Sequence, residues 1–84
     1  MSRHELAARH TYPGAKVTVG WDGPLQTYFA IVRLIDDDDE PFLWIGTSWG
    51  EIEHPEFVIA AVDKYASVTM DTYSALCADR DADR

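Results

Sequence analysis

The sequence predicts a small α+β domain in which a three-stranded antiparallel meander is followed by two helices packed on one sheet face. Two observations lead to this prediction. Apolar residues recur at alternate positions in the first half of the 84-residue chain and at helical spacing in the second half. The predicted order is β-β-β-α-α. The chain divides into a flexible arm over 1–14, a single domain over 15–79 and a polar tail over 80–84.

The three strands are predicted from their residue types. Residues 16–22 alternate between apolar and polar or small side chains, which is typical of a strand with one buried face. The Gly-Pro pair at 23–24 ends this strand. The run over 25–35 is apolar on both alternating sets and rich in β-branched and aromatic residues, which favours a central strand. Residues 42–45 then predict the third strand.

Two helices are predicted in the second half of the chain. Pro55 suits the first turn of a helix, and apolar residues recur at helical spacing from there to about Ala66. Thr69 is a suitable cap for a second helix that runs from Met70 to about Asp79. The polar residues that follow are predicted to be a tail.

One face of the sheet is expected to stay uncovered, because two short helices can cover only the other. The candidates for this face are Tyr28, Val32, Leu34 and Trp44, or the residues that alternate with them. An exposed apolar patch usually marks a contact surface, and Tyr28 and Val32 are therefore predicted to contact a partner. Trp49, in the connection after the third strand, is predicted to be either a lid over the core or an interface anchor.

The charge is distributed unevenly. The formal net charge is −8, with residues 1–35 summing to +2 and residues 36–84 to −10. A run of five acids predicts an exposed loop that contacts a basic partner or is simply solvated; its residues are Asp36, Asp37, Asp38, Asp39 and Glu40. A chain this acidic is not expected to bind DNA or RNA through their phosphates. The alternative is that the acidity serves solubility alone.

No enzyme, metal site or cofactor is predicted. Residues 46–50 match the nucleophile pattern G-x-S-x-G, but the acid and histidine that should follow in order are missing, and His54 lies only six residues after Ser48. The histidines at 4, 10 and 54 do not have metal-ligand spacing. The acidic run lacks the glycine and the final glutamate of a calcium-binding loop.

The single cysteine, Cys77, excludes an internal disulfide and is expected to be a small buried core residue. No apolar stretch approaches 18 residues, so neither a secretion signal nor a membrane span is expected. A cytoplasmic protein is the resulting expectation.

Several segments resemble a group of small acidic proteins carried by plasmids, phages and integrated elements of proteobacteria. They are Trp21 to Ala30 (WDGPLQTYFA), Leu43 to Ser48 (LWIGTS), Glu51-Ile52 and the ending at 78–80. Trp49 stands where members of the group tend to carry proline. The resemblance implies a mobile-element setting, where small acidic proteins include anti-CRISPR and anti-restriction inhibitors. It transfers no functional residue.

Together these observations predict a non-enzymatic, acidic protein-binding module that inhibits host defence by occupying a basic nucleic-acid-binding surface. The alternative is a small structural or regulatory homodimer whose sheet faces pack together.

Overall fold

The structure is a computed structural model that describes residues 2–9, 14–33 and 43–83. The acidic run from Asp36 to Glu40 and the sheet candidate Leu34 lie outside the described residues. None of the helices within those three ranges is long and apolar enough to cross a bilayer.

The predicted α+β class is confirmed, but the predicted strand count is wrong. The described residues form one four-stranded antiparallel sheet whose strands lie in chain order. The strands are β1 (His4–Leu6), β2 (Lys16–Asp22), β3 (Thr27–Arg33) and β4 (Leu43–Ile45). The additional strand is β1, which lies within the predicted arm and pairs with β2 through His4 opposite Val19.

Two helices follow in the described part of the chain, α1 (Pro55–Val62) and α2 (Met70–Asp83). The predicted cap of α2 is confirmed, since the Thr69 hydroxyl accepts a hydrogen bond from the Thr72 N–H at 3.3 Å. α2 extends past its predicted end near Asp79. Its last turn contacts the sheet, because the indole Nε1 of Trp21 donates to the Asp83 carboxylate at 3.0 Å.

The hydrophobic core lies between the two helices and one face of the sheet. Alternating residues of β2 and β3 pack against the inner sides of α1 and α2, and the buried cluster includes Val17, Val19, Trp21, Tyr28, Ala30, Val32, Val58, Val62 and Leu76. Burial of this apolar surface is the main stabilising contribution to the fold.

Tyr28 and Val32 are therefore not on the uncovered face, and that expectation is wrong. Their side chains are only 1% and 0% exposed. The Tyr28 hydroxyl donates to the Leu76 carbonyl of α2 at 3.4 Å, which places its ring under the helices. Both alternating sets of β3 are apolar, so the pattern alone did not identify which set the helices would cover.

A polar contact ties β1 to α2. His4 Nε2 lies 2.6 Å from a carboxylate oxygen of Asp79. Burial opposes ionisation of Asp79, but hydrogen bonds from His4 and Ser2 outweigh it, so the pKa of this carboxyl lies below its ordinary value. The ionised carboxylate therefore stabilises the fold above the unfolded-state pKa of about 4, and this contribution is lost as the pH falls through the lowered pKa.

Replacing Asp79 with asparagine is expected to make stability less sensitive to acid. We expect Asp79→Asn to cost about 1 kcal/mol near neutral pH and progressively less as the pH falls through the lowered pKa, where the wild-type carboxyl becomes protonated too. Urea unfolding across this pH range measures the difference. Asp81→Asn on the exposed side of α2 is the control, with an expected change within about 0.5 kcal/mol. Equal stability of wild type and Asp79→Asn near neutral pH would contradict the assigned contact.

Candidate binding surfaces

The side of the sheet opposite the helices is not covered by any described element. One row across it is formed by Glu5, Thr18, Ile31 and Trp44, which pair in turn from β1 to β4. Around this row lie Arg3, Lys16, Phe29 and Arg33, and we call these eight residues the open face. Trp44, one of the predicted candidates, is 58% exposed, and Ile31 beside it is half-buried.

Two clefts meet in the middle of the open face. One has a volume of about 220 Å³ and extends past Phe29 to Gly46. The other has a volume of about 420 Å³ and extends to Lys16 and Arg33. Both are lined by Arg3, Ile31 and Trp44. The open face therefore offers concave surface on both sides of an aromatic and aliphatic centre.

The charge of the open face is opposite to that of the protein as a whole. The charged residues that line the two clefts are Arg3, Glu5, Lys16, Asp22 and Arg33, and they sum to +1. The rest of the chain sums to −9. Within the described residues, none of the three cations of the open face forms a salt bridge. No described carboxylate therefore neutralises these basic side chains through a salt bridge.

A second surface lies where the two helices begin. Glu56 is in the first turn of α1 and Asp71 in the first turn of α2, where negative charge is favourable next to the helix N-termini. Beside them, Phe57 is 65% exposed and Met70 is 76% exposed. We call these four residues the acidic helical surface. Stabilisation of the helix ends explains the carboxylates but not the two exposed apolar side chains.

A hydrogen bond holds this surface together. The Tyr73 hydroxyl, one turn after Met70, donates to the Glu56 carboxylate at 2.5 Å. This bond raises the pKa of Tyr73 to about 12 and lowers the pKa of Glu56 below its ordinary value. Glu56 therefore stays ionised at neutral pH, and the hydrogen bond links the first turns of α1 and α2, which carry the exposed Phe57 and Met70.

Trp49 lies in the connection between β4 and α1 and is 74% exposed. Such exposure excludes the interpretation of this ring as a lid over the core. The N–H of the next residue, Gly50, donates to the Leu25 carbonyl at 2.8 Å, which fixes this connection against the turn between β2 and β3. That Trp49 anchors a partner stays a prediction.

The nucleophile-like pattern at 46–50 forms a turn. Ser48 is exposed, and His54 is exposed at the entry of α1. Gly46 has a positive φ of 81° and donates its N–H to the Glu51 carboxylate at 2.8 Å, so the glycine serves backbone geometry. Neither Ser48 nor His54 lines the two clefts of the open face.

In the part of the chain that the structure describes, no three histidine, cysteine or acidic residues come close enough together to hold a metal ion. Cys77 is half-buried, whereas full burial was expected.

The basic character of the open face was not predicted from the sequence. Arg3, Lys16 and Arg33 are separated by 13 and 17 positions, and only strand pairing brings them to one side of the sheet. The one available signal was the +2 balance of residues 1–35. Side chains alternate between the two faces of the sheet along β2 and β3. If the set of residues that the helices cover had been known, this alternation would have placed Lys16 and Arg33 on the opposite face.

Comparison of the chain with family models, curated proteins and solved structures found no match.

Proposed function

We propose that this protein is a non-enzymatic protein-binding module that contacts a basic partner through its acidic helical surface. The observation that supports this best is the pairing of exposed Phe57 and Met70 with the carboxylates of Glu56 and Asp71. Apolar side chains supply most of the binding free energy of an interface, and charges around them supply partner choice and association rate.

The narrower proposal is an inhibitor that occupies a basic surface on which nucleic acid normally binds. It is supported by the net charge of −8, which steers the protein toward a cationic surface. Five of the carboxylates behind that charge belong to the run from Asp36 to Glu40. The resemblance to mobile-element proteins supports the inhibitory role, and the negative charge of the protein supports the choice of a basic partner.

An affinity pull-down from lysate of the native host tests this proposal, with and without nuclease and with mass spectrometry of the captured proteins. We expect capture of a basic nucleic-acid-handling protein that nuclease does not release. The double variant Phe57→Ser with Asp71→Asn should reduce that capture at least tenfold, because it removes an apolar anchor and a rim charge. Replacing Asp36 to Glu40 with serine and asparagine should weaken binding and flatten its salt dependence.

Glu5→Gln is the matched control, since it removes one carboxylate from the opposite side of the molecule. Its capture should stay within about twofold of wild type, because a single distant exposed charge contributes little. Recovery of the bait alone, or capture that the double variant leaves unchanged, would refute the proposal.

A further inference from the structure

The open face has features that the acidic helical surface does not share. It has its own apolar centre, its own clefts and the opposite charge. Trp44 and Ile31 are direct cross-strand partners, so their side chains lie together in the middle of the face. An exposed tryptophan beside an aliphatic side chain, rimmed by charged groups, is the usual composition of an interface core.

The two clefts have the dimensions of a site for a short segment of polypeptide. Their volumes, about 220 and 420 Å³, fall together within the range of protein binding pockets. They adjoin at Ile31 and Trp44, so one bulky side chain can be seated at the centre while residues before and after it extend along each cleft. Phe29, which is buried, lines the first cleft.

The charges of the open face select an anionic occupant. Arg3 lines both clefts, and Lys16 and Arg33 line the larger one, where Glu5 is the one carboxylate among the lining residues that the structure describes. This chain carries 15 acidic residues. No described carboxylate forms a salt bridge with Arg3, Lys16 or Arg33, whereas Arg9 pairs with Asp63 at 2.9 Å.

The geometry points to an acidic polypeptide segment of another protein as the occupant. We propose that one bulky apolar side chain of this segment packs against Ile31 and Trp44, and that its carboxylates face Arg3, Lys16 and Arg33. This site is distinct from the acidic helical surface, so the protein can contact two binding elements on opposite layers of its fold.

Two other occupants fit the charges less well. Nucleic acid is a polyanion, and the net charge of −8 on the whole protein repels it more strongly than it repels a short peptide with few carboxylates. A second copy packed face to face would bring two sets of Arg3, Lys16 and Arg33 into one interface, and like charges brought together across an interface oppose association.

Selection from a phage-displayed library of random peptides of about a dozen residues tests the proposal on the 84-residue protein. We expect the enriched peptides to contain at least twice the Asp and Glu content of the starting library together with a Leu, Phe or Trp. The best of them, synthesised with a fluorophore, is then measured by anisotropy. Lys16→Glu and Arg33→Glu should each weaken its binding at least tenfold, and Lys16→Met should weaken it less than Lys16→Glu does.

Lys64→Glu is the matched control, because it makes the same change in net charge in the helical layer, where the ammonium lies 5.9 Å from the Tyr65 ring centre. Binding of the peptide to this variant should stay within about twofold of wild type. Seven described residues are replaced by polar or charged ones here and in the proposed-function test, and all of them are exposed: Glu5, Lys16, Arg33, Trp44, Phe57, Lys64 and Asp71. Circular dichroism of each variant checks that it is folded.

Four results would overturn the proposal. The first two are a failure to enrich acidic peptides and a selected peptide whose binding Lys16→Glu and Arg33→Glu do not affect. The third is binding of a labelled thymidine oligonucleotide at the open face that is tighter than binding of the peptide. The fourth is a two-chain mass in light scattering that Trp44→Asp converts to one chain. The last two would assign the face to nucleic acid and to a second copy. None of them involves Phe57 or Asp71, so failure here is distinguishable from failure of the helical-surface proposal.

Discussion

Leu76→Ala should destabilise the protein by about 3 kcal/mol. Leu76 is 0% exposed and is the one α2 residue that is both described and fully buried in the core, so its side chain accounts for much of the packing of that helix on the sheet. Truncation removes apolar contact and leaves a cavity that the surrounding side chains fill incompletely. The loss is a large fraction of the stability of about 4–12 kcal/mol that a domain of this length has.

Urea unfolding followed by tryptophan fluorescence measures this loss, since Trp21 contacts the last turn of α2 through Asp83. Met70→Ala is the matched control on the same helix, with a side chain that is mostly exposed. Its stability should change by less than about 0.5 kcal/mol. The two variants also separate stability from binding, because Met70→Ala should reduce partner capture while the fold stays intact. Equal losses of stability in both variants would contradict the assigned core.

The sequence predicted the class of the fold because its apolar periodicity is strong where the elements are long. β2 was predicted with its observed bounds, and the start of α2 followed from the capping residue Thr69. β1 was missed for a physical reason. A strand of three residues shows no periodicity, and it is held by pairing with β2 and by the contact between His4 and Asp79.

The binding surfaces were harder to predict than the fold, because they depend on which face of β3 the helices cover. Tyr28, Ala30 and Val32 form one apolar set and Phe29 and Ile31 the other, and the sequence does not distinguish them. In the structure the helices cover the first set. Within it, the Tyr28 ring packs edge-on against Trp21 with ring centres 4.9 Å apart. The open face was therefore predicted to exist, but with the wrong residues of β3.

The connection after β4 is the second place where a single substitution should have a large effect. Gly46 has a φ of 81°, in the left-handed region that side chains disfavour. A Cβ at this position would lie 2.1 Å from the Tyr28 carbonyl oxygen and 2.6 Å from the Phe29 Cα. Both neighbours are backbone atoms of β3 and cannot rotate away. We expect Gly46→Ala to cost about 3 kcal/mol or more in urea unfolding.

Gly50→Ala isolates the conformational part of this cost. Gly50 also has a positive φ, 63°, but a Cβ there meets no atom within 4 Å. Its replacement should therefore cost only about 1–2 kcal/mol. A Gly46→Ala variant as stable as Gly50→Ala would show that β4 tolerates displacement from β3.

Because β4 carries Trp44, the same pair of glycine variants also tests how the open face is built. Relief of the clash at Gly46 requires β4 to move away from β3, which would separate Trp44 from its cross-strand partner Ile31. Among molecules that remain folded, Gly46→Ala should therefore bind the selected acidic peptide at least tenfold more weakly, whereas Gly50→Ala should bind it as wild type does. Capture of the basic partner should survive in both variants, since neither glycine belongs to the acidic helical surface. Loss of peptide binding with retention of partner capture would place the two binding elements on separate layers of the fold.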